Sequence, residues 1–199
     1  KLAAGVVLLS PYIPLLFMGE EYGEESPFLY FISHSDPTLI EAVRQGRKAE
    51  FHNFSWKEEP PDPQSVETFL KSKIDWEKRF EGYHKVLLDF YKKLITLRKT
   101  IPALSHLDKK SLCVDGLEEE KILFVKRWKD SDHVFLIFNF NTTDVKITPS
   151  ISEGAWNKVL DSSEKKWNGL GSLLKYELTS GDEIIIRGHS LVMYNMKKP

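Results

Sequence analysis

The chain has little of what would simplify a reading. Its 199 residues hold one cysteine, Cys113, which excludes an intrachain disulfide and a cysteine-based metal cluster and fits a cytoplasmic setting. Neither charge is in excess: 28 Lys+Arg stand against 29 Asp+Glu, a formal net charge of -1. Bulk electrostatics therefore give no reason to expect nucleic acid or an anionic membrane as partner. Pro11 and Pro14 interrupt the main apolar stretch well before membrane-spanning length, so no transmembrane helix is expected. The opening Lys1-Leu2-Ala3-Ala4-Gly5 does not read as a signal peptide. There is no internal repeat, no low-complexity tract, and no motif that calls for a cofactor or a metal. What remains, 41% hydrophobic and 29% charged residues, is an ordinary globular composition of one or two domains. The chain starts without Met, already inside a helical pattern, and reads as a piece of something larger.

The stretch from Val6 to Glu21 organises that piece. An apolar helix end through about Ser10 meets a corner at Pro11 and Pro14, and the apolar run Ile13-Pro14-Leu15-Leu16-Phe17-Met18 follows, closed by Gly19-Glu20-Glu21. Because the run shows no polar alternation, it is expected to be a strand buried on both faces, as in a parallel sheet. No second strand of this kind is read elsewhere in the chain. Tyr22 to Asp36 reads as a long loop broken by Gly23 and Pro27. Asp36-Pro37 reads as a helix N-cap with proline in the first turn, and that helix is expected to fade near Gly46. The segment from Asn53 to Gln64 is polar and proline-rich. From Tyr83 to Ile101, apolar residues recur at spacings of three and four, which predicts an amphipathic helix ended by Pro102. Beyond about Leu107 the period changes to two. Lys121–Trp128, His133–Phe140, Asp144–Pro149, Trp156–Asp161, Glu183–Arg187 and Leu191–Met196 read as short strands separated by turn residues, an antiparallel sandwich. Cys113, between Leu112 and Val114, reads as a buried strand residue.

Four stretches carry a family resemblance. Ser10-Pro11-Tyr12-Ile13-Pro14-Leu15-Leu16-Phe17-Met18-Gly19-Glu20-Glu21 resembles the eighth barrel strand of the α-amylase superfamily of glycoside hydrolases. Phe31 to Leu39, Ala42 to Phe51 and Glu67 to Trp76 are similar to maltooligosyltrehalose trehalohydrolases in particular. The match covers roughly residues 1 to 104. It implies an α+β fragment: the last strand and helices of a (β/α)8 catalytic barrel over 1–104, with an insertion and an outer helix, then an antiparallel β-sandwich over 105–199. It also implies a parent that releases trehalose from maltooligosyl trehalose by cleaving the α-1,4 bond next to the terminal trehalose. Implied partners are an oligosaccharide substrate and either the N-terminal remainder of the parent chain or a second copy. A different class also fits, a self-standing carbohydrate-binding or assembly module.

Glycoside hydrolysis needs two carboxyl groups flanking the scissile bond. The resemblance places the superfamily's catalytic carboxylates on barrel strands four, five and seven, upstream of this chain, so no catalytic residue is assigned here and the chain alone is expected to be inactive. His34-Ser35-Asp36 reads as loop and cap. The candidates for a substrate shell are Glu20, Glu21, Tyr22 and Trp76. Adjacent residues at a strand end point oppositely, so at most one of Glu20 and Glu21 faces a barrel mouth. The alternative use of either is to bind loop backbone or pair with an arginine. Trp56 could border a groove with Trp76. Trp128, Trp156 and Trp167 could stack on sugar or pack in the core.

Overall fold

The structure is a computed structural model that describes residues 1–53 and 60–197. Trp56 and the middle of the proline-rich segment lie outside the described residues. The chain forms two units, Lys1–Tyr22 with Arg79–Pro199, and Gly23–Lys78.

In the first unit, helix α1 (Leu2–Leu9) and the long helix α4 (Gly82–Thr100) precede a short helix α5 (Pro102–Ser105) that starts on proline. Strands β1 (Leu112–Leu117), β2 (Ile122–Lys129), β3 (Asp132–Asn139), β5 (Trp156–Asp161), β6 (Glu177–Leu178) and β8 (Ser190–Lys197) make an antiparallel sheet in the order β1-β2-β3-β8-β5-β6. Strands β4 (Val145–Ile147) and β7 (Ile184–Ile186) pair separately. Alternate side chains divide the large sheet between two cores. Val134, Leu136, Phe138, Leu191 and Met193 pack with Leu8 and Leu9 of α1, Phe90, Leu94 and Leu97 of α4, and Leu104 of α5. On the opposite face, Phe135, Ile137, Val192 and Tyr194 pack with Val145, Ile147, Ile184 and Ile186 of the small sheet. The helices thus share a core with the strands that follow them. Helix α1 lies so close that a β-carbon on Gly5 would collide with the Leu191 side chain, which accounts for glycine in a helix interior.

Three expectations are corrected in this unit. Ile13 to Met18 forms no strand ladder, and Ile13, Leu15, Phe17 and Met18 are 87%, 91%, 52% and 55% exposed. A strand is defined by its neighbours, and no described residue pairs with this run. A run buried on both faces does exist elsewhere: Val134-Phe135-Leu136-Ile137-Phe138, none more than 2% exposed, in an antiparallel sheet covered on both sides. Cys113 does lie in a strand, but it is exposed, because β1 is an edge strand exposed from its second residue on.

The second unit holds helix α2 (Pro37–Asn53) and helix α3 (Val66–Lys71). Asp36 Oδ1 accepts from Thr38 N at 2.8 Å, the cap read from Asp36-Pro37. Helix α2 continues past Gly46, where a β-carbon would meet nothing within 4 Å; an exposed glycine weakens a helix without ending it. Glu24 is the anchor of this unit. Its Oε1 accepts from Glu25 N at 2.8 Å, Ser26 N at 2.9 Å and Lys78 Nζ at 3.2 Å, and its Oε2 from Asp75 N at 2.6 Å. Burial pushes this carboxyl up, but the N–H groups of Ser26, Asp75 and Glu25 and the Lys78 ammonium together hold it well below the usual carboxylate range.

Candidate functional site at the Glu20–Tyr22 turn

The carbonyls at the end of α1 have no helical partners, and arginines take them. Arg98 donates to Leu8 O at 2.7 Å, Ser10 O at 2.6 Å and Tyr12 O at 2.6 Å. Arg127, on β2 and 1% exposed, donates to Leu9 O at 2.7 Å, Leu104 O at 3.1 Å and His106 O at 2.7 Å. Burial and the neighbouring Arg98 charge pull the Arg127 guanidinium down to about 10, so it stays a cation at neutral pH. The two cations fix the corner that launches residues 13–18.

At the far end of the run, Gly19 takes a φ of 87°, a left-handed conformation open to glycine, and the chain enters a single 3₁₀ turn, Glu20–Tyr22. Glu20 Oε2 accepts from Phe17 N at 2.9 Å and its Oε1 from Tyr91 Oη at 3.2 Å. Burial pushes the Tyr91 hydroxyl up to about 12, helped by the Glu20 and Glu21 charges. His84 Nδ1 and the Tyr22 carbonyl are 2.8 Å apart; a carbonyl only accepts, so Nδ1 carries the proton. Tyr22 is fully buried.

The turn therefore brings Glu20, Glu21 and Tyr22 together, while Trp76, 50% exposed, belongs to the other unit. Glu20 binds loop backbone, one of the two uses read from the sequence. Trp156 is buried between the sheets and donates from Nε1 to Ser152 O at 3.1 Å; Trp128 and Trp167 are half-buried, and Trp167 meets Phe90 edge-on. His34 donates its backbone N–H to Gln64 Oε1, as a loop residue does. Among the described residues no group of three or more His, Cys, Asp or Glu is placed to hold a metal ion, and no helix is long and apolar enough to cross a membrane.

Sequence reasoning missed His84, Tyr91 and Arg98, although a signal was there. They are spaced by seven along α4, which puts them on one stripe of a helix. They border the apolar face, and Tyr91 counts there as one of its buried residues, so the apolar pattern of that helix hid the stripe.

In fold, the sheet and its covering helices are similar to part of solved α-amylase structures. A protein provisionally named an alpha amylase, from Salmonella typhimurium, superposes on 98% of this chain and 30% of its own with a TM-score of 0.73 and 31% identity. The α-amylase of H. orenii shows the same fold, with a TM-score of 0.57, 17% identity, and coverage of 99% of this chain and 35% of its own. More particularly, the chain resembles the C-terminal part of malto-oligosyltrehalose trehalohydrolases. It is 40% identical to the one from Rhizobium sp. strain M-11 over 138 residues, 69% of this chain and 23% of that protein. It is 50% identical to the one from Saccharolobus solfataricus over 99 residues, 50% of this chain and 16% of that protein. The chain thus spans about a fifth of the length of these relatives. No protein-family profile matches it.

Proposed function

We propose that this chain is the C-terminal part of a cytoplasmic glycoside hydrolase that releases trehalose from maltooligosyl trehalose, cleaving the α-1,4 bond next to the terminal trehalose. One observation carries the reading: the curated relatives share that single name. In this reading residues 1–104 are the last part of a (β/α)8 barrel and 105–199 a C-terminal β-sandwich domain. Ile13 to Met18, which has no ladder in this chain, becomes barrel strand eight once the rest of the parent is beside it, with α4 the outer helix after it and Glu20, Glu21, Tyr22 and Trp76 supporting the substrate shell. The acid and the nucleophile of a retaining double displacement come from elsewhere in the parent. A second reading, an assembly module, draws on the same run, since a segment without a strand ladder that exposes Ile13, Leu15, Phe17 and Met18 is a template for another strand. Whichever reading holds, the run pairs with the N-terminal remainder of the parent or with a second copy.

The purified chain is expected to release no trehalose from maltooligosyl trehalose, whereas the protein extended upstream by its reading frame does. Turnover by the short chain, free of host glycosidase, would refute a catalytic acid and nucleophile lying elsewhere in the parent; inactivity of the extended chain sinks the hydrolase reading. Size-exclusion chromatography with light scattering reads the pairing; a monodisperse monomer of 23.1 kDa with residues 13–18 protected from hydrogen exchange would refute it.

A further inference from the structure

In the unit Gly23–Lys78, the segment Phe31–His34 is fastened along the residues that open α3. Ile32 N donates to Pro63 O at 2.8 Å, and the Gln64 side-chain amide grips both polar backbone groups of His34, at 3.3 Å and 3.0 Å. Ser65 caps α3 by accepting from Glu67 N at 3.2 Å, and the buried Thr68 hydroxyl donates to Asp62 O at 2.6 Å. Both walls of the cleft between these segments are thus held in place. Its volume is about 450 Å³, within the usual range of small-ligand sites, about 300–1,000 Å³.

The lining has an unusual chemical balance. Phe31 and Phe69 meet edge-to-face, ring centroids 5.2 Å apart, yet remain 37% and 43% exposed. Val66 beside them is 70% exposed. The polar part of the lining is Ser33, Gln64 and Ser65, and no lining residue is ionisable. Such a site offers a charged ligand nothing. It suits an uncharged molecule with an apolar face for the rings and hydroxyls at its edge for the serines and the amide. Pyranose rings have that form: axial C–H groups on the face, hydroxyls around the rim.

We propose that this cleft binds a linear α-1,4-glucan, with a sugar ring laid against Phe31 and Phe69 and its hydroxyls toward Ser33, Gln64 and Ser65. The choice of an α-glucan among neutral oligosaccharides rests on the reading of the parent given above; the choice of a neutral oligosaccharide rests on the lining alone. One sugar ring on an aromatic face with few hydrogen bonds is a weak contact, so affinity is expected near about 1 mM.

The test is a titration of the intact 199-residue chain with maltoheptaose, followed by amide chemical shifts, with cellohexaose as control. Shifts concentrated at residues 31–34 and 64–69, with cellohexaose inert, are the expected result. Phe69→Ala is expected to weaken binding about tenfold, and Phe69→Tyr, which restores the ring, to recover it. Val66→Arg, at a solvent-facing position that folding does not need, is expected to abolish binding by crowding and charging the rim. Absence of shifts in this cleft, shifts confined to the sheet, or an equal response to cellohexaose overturns the proposal. No turnover enters the measurement. Its failure therefore leaves trehalose release by the extended protein standing, and failure of that assay leaves a bound maltoheptaose standing.

Discussion

Ile13 to Met18 and Val134 to Phe138 look alike in sequence: short, apolar, without alternation. In the structure they are opposites. The second is covered on one face by α1, α4 and α5 and on the other by β4 and β7, and is hydrogen-bonded to β2 and β8. The first has no ladder, and although Leu16 packs against the core, Ile13, Leu15, Phe17 and Met18 are exposed. An apolar run states a demand for burial, and only neighbours elsewhere in the sequence can meet it. For β3 those neighbours lie on the same chain; for residues 13–18 the described neighbours reach Leu16 but leave most of the run exposed.

The contrast can be broken most directly by truncation. Leu136→Ala is expected to cost about 2–5 kcal/mol, the usual penalty for a buried leucine, read from urea unfolding. A loss under about 1 kcal/mol would mean that the β3 run is not held as described. Arg98→Met comes next: it strands three carbonyls at the corner, and a loss of about 2 kcal/mol is expected, with faster hydrogen exchange over residues 8–18. Unchanged exchange there would show that the corner stands without its cation.

A pH titration probes the other unit. The folded Glu24 carboxyl lies below its ordinary 4.5, so its contribution is complete above about pH 4.5 and is lost as pH falls toward the depressed value. Amide protection of residues 24–26 and 75 is expected to decline over that acid range. In Glu24→Gln the decline is expected to vanish, at a lower starting protection. A wild-type profile as flat as the variant's would remove Glu24 from its anchoring role. Smallest of all is Leu15→Ser: at 91% exposure its effect on the monomer is expected within about 0.5 kcal/mol, while self-association falls. A large loss of monomer stability would erase the distinction between the two runs.

Much of the molecule is legible in its sequence, for identifiable reasons. Helix α4 is legible because its apolar residues repeat at three and four, and Asp36-Pro37 marks the start of α2 through cap chemistry. The strands from Ile122 onward are legible because each alternates or is bounded by turn residues. Strand β1 is harder: Leu112-Cys113-Val114-Asp115-Gly116 pairs only with β2, and an edge strand is marked by little but its partner. Strand β6 has two residues, too short to show a period. In the candidate site, Glu20, Glu21 and Tyr22 stand out as a motif. His84 and Arg98 do not, since a polar residue on a helix looks like a solvated one until the element it touches is known, and Tyr91 reads as one more residue of the apolar face. Arg127 sits among the apolar and aromatic residues of β2, where only the loose carbonyls of α1 and α5 explain it.

The seven-residue spacing of His84, Tyr91 and Arg98 bears on how this chain can vary in length. Each residue inserted into a helix turns everything beyond it by about 100° and advances it about 1.5 Å. A single insertion or deletion between His84 and Arg98 would swing one end of the stripe away from residues 8–22 and release the corner or the turn in one step. Even a seven-residue insertion, which restores the angle, would drive the two ends about 10.5 Å further apart along the axis, so the helix between those positions is fixed in length. Length differences among related chains should therefore be absent from α4 between His84 and Arg98.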